Sequence, residues 1–155
     1  MTTGTARRPT PRQGFEARHR ARAAAVQMLY QWEVGRTSMS DVLQTFWLHD
    51  DASIAQLADD HRAFATALAN GVVAAMGDID LAIAEATEHW RLERMNAVDR
   101  IILRLAVYEF LHEAGTPAPV IINEALELAR TFGDADAVRF VNGILDAIRR
   151  RLERE

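Results

Sequence analysis

The distribution of proline constrains the fold of this chain more than any other sequence feature. The four prolines lie at positions 9, 11, 117 and 119, so residues 12–116 contain none of the residue type that breaks helices. Apolar residues recur through this stretch at helical spacing, and the one β-branched cluster, residues 120–122, leads directly into another helical pattern. The sequence therefore predicts an all-α fold of about seven helices. We place them near residues 16–34, 40–48, 60–76, 79–90, 97–113, 119–132 and 135–152.

Polar residues and glycines indicate where these helices begin and end. Ser40, Asn96 and Asp134 each come at the start of a predicted helix, where a side-chain oxygen can accept a bond from a free backbone N–H. Glycine follows predicted helices at positions 35, 77, 115 and 133, and we expect it to end each one in the left-handed conformation. Residues 1–14 lack apolar periodicity and are predicted to form a disordered arm, which leaves residues 15–155 as one helical domain.

Composition and missing motifs exclude several classes of site. The chain has no cysteine, which rules out disulfides, thiolate zinc sites and cysteine nucleophiles. It also lacks a glycine-rich phosphate loop, an HExxH pair and a GxSxG turn, so we expect no enzymatic activity, no catalytic residue and no cofactor. Acids and histidines at 49–51 and 59–61 lie at predicted helix ends, where such residues are common, and we expect no metal site there. No apolar run resembles a signal sequence or a membrane span, which indicates a cytoplasmic protein.

Charge is unevenly distributed along the chain. Residues 1–22 contain six arginines and one acid, whereas residues 23–155 contain 12 arginines and 21 acids. A polyanion could be held by the basic end, while the acidic remainder would repel it. The charge pattern therefore predicts that any contact with a polyanion is confined to the N-terminal region.

One face of the first predicted helix should pack on the core. Taking 100° per residue, a single apolar stripe runs along it, formed by Ala21, Ala25, Met28, Leu29 and Trp32.

The opposite face of the same helix has the composition of a nucleic-acid surface. It carries cationic and amide side chains and one tyrosine: His19, Arg20, Gln27 and Tyr30, with Arg18 and Arg22 on the flank. A base can stack on the tyrosine ring while arginines neutralise phosphate, which suits single-stranded RNA. The alternative is a solvated face whose tyrosine covers the edge of the core, and the arginine-rich start of the chain favours the RNA interpretation.

The central helix contains a carboxylate that needs a partner. Residues 98–111 are apolar on nearly every side of a helical wheel, so this helix should be buried. Glu109 falls among the apolar positions, where an unpaired carboxylate would be costly, and we expect it to be paired within the core. Gly71 and Gly143 interrupt helical patterns, and we expect close packing against a neighbouring helix at both positions.

Three parts of the chain resemble the NusB family of transcription antitermination factors. Residues 20–32, RARAAAVQMLYQW, are similar to the family's opening helix. Residues 89–110, HWRLERMNAVDRIILRLAVYEF, are similar to its central helix and the approach to it. Residues 120–133, VIINEALELARTFG, and 139–146, RFVNGILD, are similar to its C-terminal signature. They lie within residues 20–32 and 89–146, roughly half of the chain, in the family's order and spacing.

The resemblance implies a fold and a function. The fold would be all-helical, with two small helical bundles packed against each other. The function would be antitermination in ribosomal RNA operons, in which the protein binds the boxA element of single-stranded RNA together with NusE, a small-subunit ribosomal protein, within the RNA polymerase antitermination complex. Whether the free protein is a monomer or a homodimer stays open.

The resemblance also implies which residues form each surface. The RNA surface would combine the first helix with the region after the sixth: Arg18, His19, Arg20, Arg22, Gln27, Tyr30, Phe132, Asp136 and Phe140. The NusE surface would lie around the start of the central helix: Glu93, Asp99 and Arg100. His19 stands where the family often has arginine, so its cationic contribution should be smaller near neutral pH.

Two alternatives to this function remain open from the sequence. One is an RNA-binding module related to the N-terminal domain of ribosomal RNA cytosine methyltransferases, although residues 1–155 include no methyl-donor domain. The other is a helical scaffold that binds only proteins, in which the basic segment would have no role in RNA binding.

Overall fold

The computed structural model describes residues 11–48, 57–87 and 92–153. Seven α-helices lie within them: α1 (Pro11–Glu33), α2 (Met39–Thr45), α3 (Asp59–Ala74), α4 (Met76–Ala86), α5 (Ala97–His112), α6 (Ala118–Phe132) and α7 (Ala135–Glu153). Short 3-10 helices follow α2 at Phe46–Leu48 and precede α5 at Leu92–Arg94. No strand occurs in these three ranges, and the all-α prediction is confirmed.

The first helix begins earlier than the sequence analysis predicted. Pro11 opens α1, a position that proline tolerates because backbone N–H groups in the first turn have no intrahelical partner. Residues 11–14 are therefore helical, and the prediction of a disordered arm is wrong for them. Residues 1–10 lie outside the described residues.

The glycines do not end the helices in the predicted way. None of the glycines in the described ranges has a positive φ, and the residue with a left-handed backbone after α1 is Arg36, with a φ of 55°. The break between α3 and α4 falls at Ala75, so Gly77 lies inside α4.

The predicted N-caps are partly confirmed. The Asn96 side chain accepts a hydrogen bond from the backbone N–H of Asp99 at 2.8 Å, and Asp134 accepts one from Ala137 at 2.8 Å. At α2, however, the cap is Ser38 and not Ser40.

Helix α5 is the centre of the fold. It packs against α1, α3, α4, α6 and α7, which explains why a sequence apolar on nearly every side is stable as a helix here. Around it, α1 packs on α2 and α3, and α6 packs on α7. Helices α1 and α6 thus both rest on α5, and this arrangement positions the surface described below.

The two glycines in helix interiors have different surroundings. A Cβ on Gly71 would lie 2.3 Å from the ring of Tyr108, so α3 and α5 approach closely there, as predicted. No side chain or neighbouring backbone of the described residues lies within 4 Å of a Cβ built on Gly143, so the close-packing prediction is wrong for that position.

None of the described helices is by itself long and apolar enough to cross a bilayer. Helices α3 and α4 taken together have the length and composition of a membrane span, but they are bent by 73° at their junction.

Candidate nucleic-acid interface

The two faces of α1 separate as the helical wheel predicts. Ala21, Ala25, Met28 and Leu29 are buried in the core, and Trp32 packs against it from a half-buried position. On the other side, Arg18 is exposed and Tyr30 is 44% exposed. The tyrosine ring is therefore available to a ligand, and the interpretation of Tyr30 as a core-edge residue is not favoured.

Arg22 is not part of the exposed face. It is only 3% exposed, and its guanidinium donates to the carboxylate of Glu109 with N–O distances of 2.8, 3.1 and 3.1 Å. The guanidinium carbon also lies 5.6 Å from the ring centroid of Phe64. A side chain held in this way cannot reach a phosphate, so the prediction that Arg22 contacts RNA is wrong.

The same contact identifies the partner of the core glutamate. Glu109 is 2% exposed, and burial raises the pKa of its carboxyl group even though Arg22 lowers it through a hydrogen bond and its charge. The ion pair joins α1 to the centre of the fold, and the prediction of a paired core glutamate is confirmed.

His19 lies on the exposed face but is already paired. Its Nδ1 lies 2.8 Å from Oε2 of Glu124 on α6, and the same carboxylate lies 3.7 Å from Arg22. The hydrogen bond to Glu124 raises the pKa of the His19 imidazole above its usual 6.5, against the opposing effect of burial. His19 thus keeps its charge to a higher pH than an isolated histidine, but Glu124 neutralises that charge locally.

This pair predicts a pH dependence of stability. Because the pKa of His19 is higher in the folded chain, the contribution of the pair is fully present below pH 6.5 and is lost as the pH rises through the folded-state value. The free energy of unfolding should therefore differ between the wild type and His19→Gln below pH 6.5, and the difference should shrink at alkaline pH. Urea unfolding at several pH values measures this. His112→Gln is the matched control, because His112 is an exposed histidine on α5. A difference that is constant with pH would contradict the prediction.

Tyr30 and Phe132 line one cleft. Its volume is about 480 Å³, and it is lined by residues at the end of α1, the start of α5 and the junction of α6 with α7: Tyr30, Asn96, Ala97, Val98, Phe132, Gly133, Asp134 and Ala137. Two aromatic residues that the sequence analysis assigned to RNA binding are thus brought together, although about 100 residues separate them. Asn96, Val98 and Asp134 were missed as lining residues, because only the fold places the start of α5 beside Tyr30.

The other predicted RNA residues lie nearby with differing exposure. Asp136 is exposed in the first turn of α7, and Phe140 is half-buried against the core one turn later. Gln27 is half-buried on α1, and Arg20 is half-buried beside the exposed Arg18. Except for Arg22, the structure leaves each of these side chains at least partly accessible.

A second, larger groove was not predicted. It has a volume of about 910 Å³ and lies between α4 and the start of α5; its lining includes Glu33, Asp80, Leu81, Glu93, Arg100 and Arg104. Both arginines bond to Oε1 of Glu33 at 2.9 Å, and Arg104 also forms a two-pronged contact with Asp80 at 2.9 and 3.0 Å. The signal in the sequence was the narrow polar strip that Arg100 and Arg104 share on a mostly apolar helix.

The residues predicted to contact NusE do not form one surface. Glu93 is exposed at the larger groove. Arg100 lines it too, but it is committed to Glu33 and to the carbonyl oxygens of Leu92 and Met95 at 3.0 and 2.8 Å. Asp99 is buried on the side of Gly133, and burial together with the charge of Asp134 raises the pKa of its carboxyl group. Asp99 and Arg100 are thus structural residues first, and Glu93 is the freely accessible one of the three.

The described ranges hold no group of three or more His, Cys, Asp or Glu side chains placed to bind a metal ion. His61 lies 3.2 Å from Asp60, and residues 49–51 fall outside the described residues.

Comparison with known proteins gives a consistent result. The model of the NusB family matches residues 19–150. The transcription antitermination protein NusB of Solibacter usitatus is 44% identical over 136 residues, which cover 88% of this chain and 90% of the relative. That of Koribacter versatilis is 44% identical over 138 residues, which cover 89% of this chain and 92% of the relative.

Solved structures share the fold. The chain matches T. maritima NusB with a TM-score of 0.74 and 35% identity, over 84% of this chain and 89% of that one. A NusB chain in a crystal structure of NusB and NusE with double-stranded RNA matches with a TM-score of 0.66 and 24% identity, over 85% of this chain and 95% of that one, a likeness of fold alone. The family match, the relatives and the all-helical fold confirm what the three sequence segments indicated. The chain therefore belongs to the NusB family of transcription antitermination proteins.

Proposed function

We propose that this protein binds boxA-type single-stranded RNA of ribosomal RNA operons together with NusE, as a non-enzymatic, cytoplasmic component of the RNA polymerase antitermination complex. The role in transcription antitermination follows from membership of the family. The clefts and charges of this chain support the RNA ligand, the partner and the residues involved.

The observation that carries the proposal is the cleft between Tyr30 and Phe132. An exposed tyrosine and a half-buried phenylalanine line a cavity of about 480 Å³ that is open to solvent. Nucleobases stack on aromatic side chains, and unpaired bases are the ones free to do so. The cleft therefore favours a single strand over a duplex.

The charges near α1 support the same ligand. Arg18 and Arg20 lie on the outward side of α1, about three turns before Tyr30, where they can neutralise phosphates of a strand whose base occupies the cleft. Arg22 contributes no such contact, because it is buried with Glu109. The acidic remainder of the chain repels RNA elsewhere and limits binding to this side.

The larger groove is the proposed contact for NusE. A solved neighbour with this fold contains NusB and NusE together with RNA. In this chain, the exposed Glu93 and the exposed apolar side chain of Leu81 lie along one groove near the start of α5. An apolar residue beside an accessible carboxylate suits a protein surface with a complementary basic residue.

An RNA titration tests the proposal. We expect this protein alone to bind boxA-type RNA weakly and to bind it more tightly when NusE is present, because the partner extends the surface. RNA of the same composition in scrambled order is the control and should bind less tightly. Equal affinity for both RNAs in the presence of NusE would rule out sequence-specific recognition of boxA.

The same titration separates the alternatives. A scaffold that binds only proteins would capture NusE but show no RNA binding beyond that of NusE by itself. If RNA binds tightly and its affinity is the same with and without NusE, the chain is an independent RNA-binding module, and the proposed partnership is wrong.

A further inference from the structure

An exposed phenylalanine lies at the opposite end of α1 from the Tyr30 cleft. Phe15 is 53% exposed, the largest exposed fraction of any aromatic side chain among the exposed large hydrophobics of the described residues. A single exposed apolar residue needs no explanation by itself. Phe15, however, forms one wall of a second cleft, with a volume of about 510 Å³, lined by Phe15, Glu16, His19, Arg20, Glu124 and Glu127.

The two clefts lie along one path. Both are bounded by α1 and α6: the Tyr30 cleft by Tyr30 and Phe132, and the Phe15 cleft by Phe15 and Glu124. Helices α1 and α6 run in the same direction here, because His19 contacts Glu124 and, further along both helices, Tyr30 and Phe132 line the same cleft. A strand seated at Tyr30 and laid along this path reaches Phe15.

The separation suits a bound single strand. Phe15 and Tyr30 are 15 residues apart on one helix, which corresponds to about 22 Å at 1.5 Å per residue. Single strands bound on aromatic platforms occupy sites of about 4–16 nucleotides, so one RNA molecule can span this distance.

We propose that the cleft at Phe15 is a second base-binding site, which takes an unpaired base bearing an exocyclic amino group from the RNA that flanks the boxA element. The phenyl ring stacks on the base, and Arg20 faces the backbone. The carboxylates of Glu124 and Glu127 are hydrogen-bond acceptors, so they pair with the amino groups of adenine, guanine or cytosine, whereas uracil has no exocyclic amino group.

One carboxylate of the cleft is held in place before RNA arrives. Glu124 is fixed by His19 at 2.8 Å and approached by Arg22 at 3.7 Å, and Glu127 pairs with Arg130. A carboxylate has more than two acceptor positions, so these contacts leave capacity for a base amine. This inference rests on the proposed function, because it needs RNA at the Tyr30 cleft.

The test uses five RNA probes in the presence of NusE: the boxA-type element alone, and four extended molecules that carry a tail of about six adenosines or about six uridines at one end or at the other. One of the two adenosine-tailed molecules should bind the wild type about 5- to 150-fold more tightly than the unextended element does, which is the range for stacking of one base. The uridine tail should give a smaller gain. Phe15→Ala should lose the gain from the tail and bind the unextended element as the wild type does.

Two further variants control the result. Phe15→Trp keeps an aromatic ring and should keep the gain. Leu111→Ala removes an exposed apolar side chain at the end of α5, away from both clefts, and should change nothing. A loss of affinity for the unextended element in Phe15→Ala, or no gain from a tail at either end, would overturn the site. Equal gains from adenosine and uridine would overturn the role of the carboxylates.

The experiment distinguishes this inference from the proposed function. If the unextended element binds and the tails add nothing, the second site is wrong and the proposed function stands. If the unextended element fails to bind with NusE present, both are wrong.

Discussion

Replacing Arg22 with alanine is expected to lower the free energy of unfolding by about 3–5 kcal/mol, the cost of leaving one member of a buried ion pair without its partner. Glu109 is 2% exposed and accepts three hydrogen-bonding contacts from Arg22, so the substitution leaves an enclosed charge that water cannot reach. Urea unfolding followed by circular dichroism measures the change.

The pH dependence gives this prediction a second readout. Burial already raises the pKa of the Glu109 carboxyl, and removal of Arg22 should raise it further. An acid with a raised pKa in the folded chain loses stability as the pH rises, so the variant should be closest to the wild type at acidic pH. Arg18→Ala, an exposed arginine on the same helix, is the matched control and should change stability by less than about 0.5 kcal/mol. If Arg22→Ala is no less stable than this control, the ion pair does not stabilise the packing of α1 on α5.

Replacing Tyr30 with alanine is expected to weaken boxA-type RNA binding by about 1–3 kcal/mol, or about 5- to 150-fold, without loss of fold. The residue is 44% exposed and lines the cleft with Phe132, so its exposed part is available to a base that enters the cleft. Filter binding or fluorescence anisotropy in the presence of NusE measures the affinity.

The control for Tyr30→Ala is Tyr30→Phe, which keeps the ring for stacking and should retain most of the affinity. The helical content of both variants should equal that of the wild type. Unchanged RNA affinity in Tyr30→Ala, or a loss of helicity that accounts for weaker binding, would show that Tyr30 covers the core and does not bind RNA.

The sequence was sufficient for the inner face of α1 because burial there follows helical periodicity. Ala21, Ala25, Met28 and Leu29 recur at the spacing that keeps side chains on one side of a helix, and all four are buried. The central position of α5 followed from the same reasoning, since residues apolar on every side need neighbours on every side.

The role of Arg22 could not be obtained in this way. A helical wheel placed it on the flank of α1, next to His19 and Arg20, and offered no means of telling an arginine that meets solvent from one that meets a carboxylate. Its partner, Glu109, lies 87 residues away along the chain. The sequence did show that Glu109 needed a cation, but several arginines were available, and only the packing of α1 on α5 selects one.

The predicted helix ends were wrong where more than one residue could end the helix. Glycine is the usual residue for a left-handed helix end, yet Arg36 has this conformation after α1 and Gly77 is accommodated inside α4. The Tyr30 cleft shows the same limit at a larger scale. Tyr30 was proposed for RNA from the helical wheel and from the family resemblance, and Phe132 from the resemblance alone, but their shared cavity depends on the packing of α1 and α6 on α5.

The chain of contacts from His19 through Glu124 and Arg22 to Glu109 joins three helices, two of which bound the proposed RNA path. It fixes the first helix by charges that are enclosed, so high salt would screen them far less than it screens phosphate contacts. RNA would then meet a rigid platform, and little conformational entropy would be lost from α1 on binding. For this part of the protein, the binding surface would already be formed in the free state, and only the RNA would become ordered on binding.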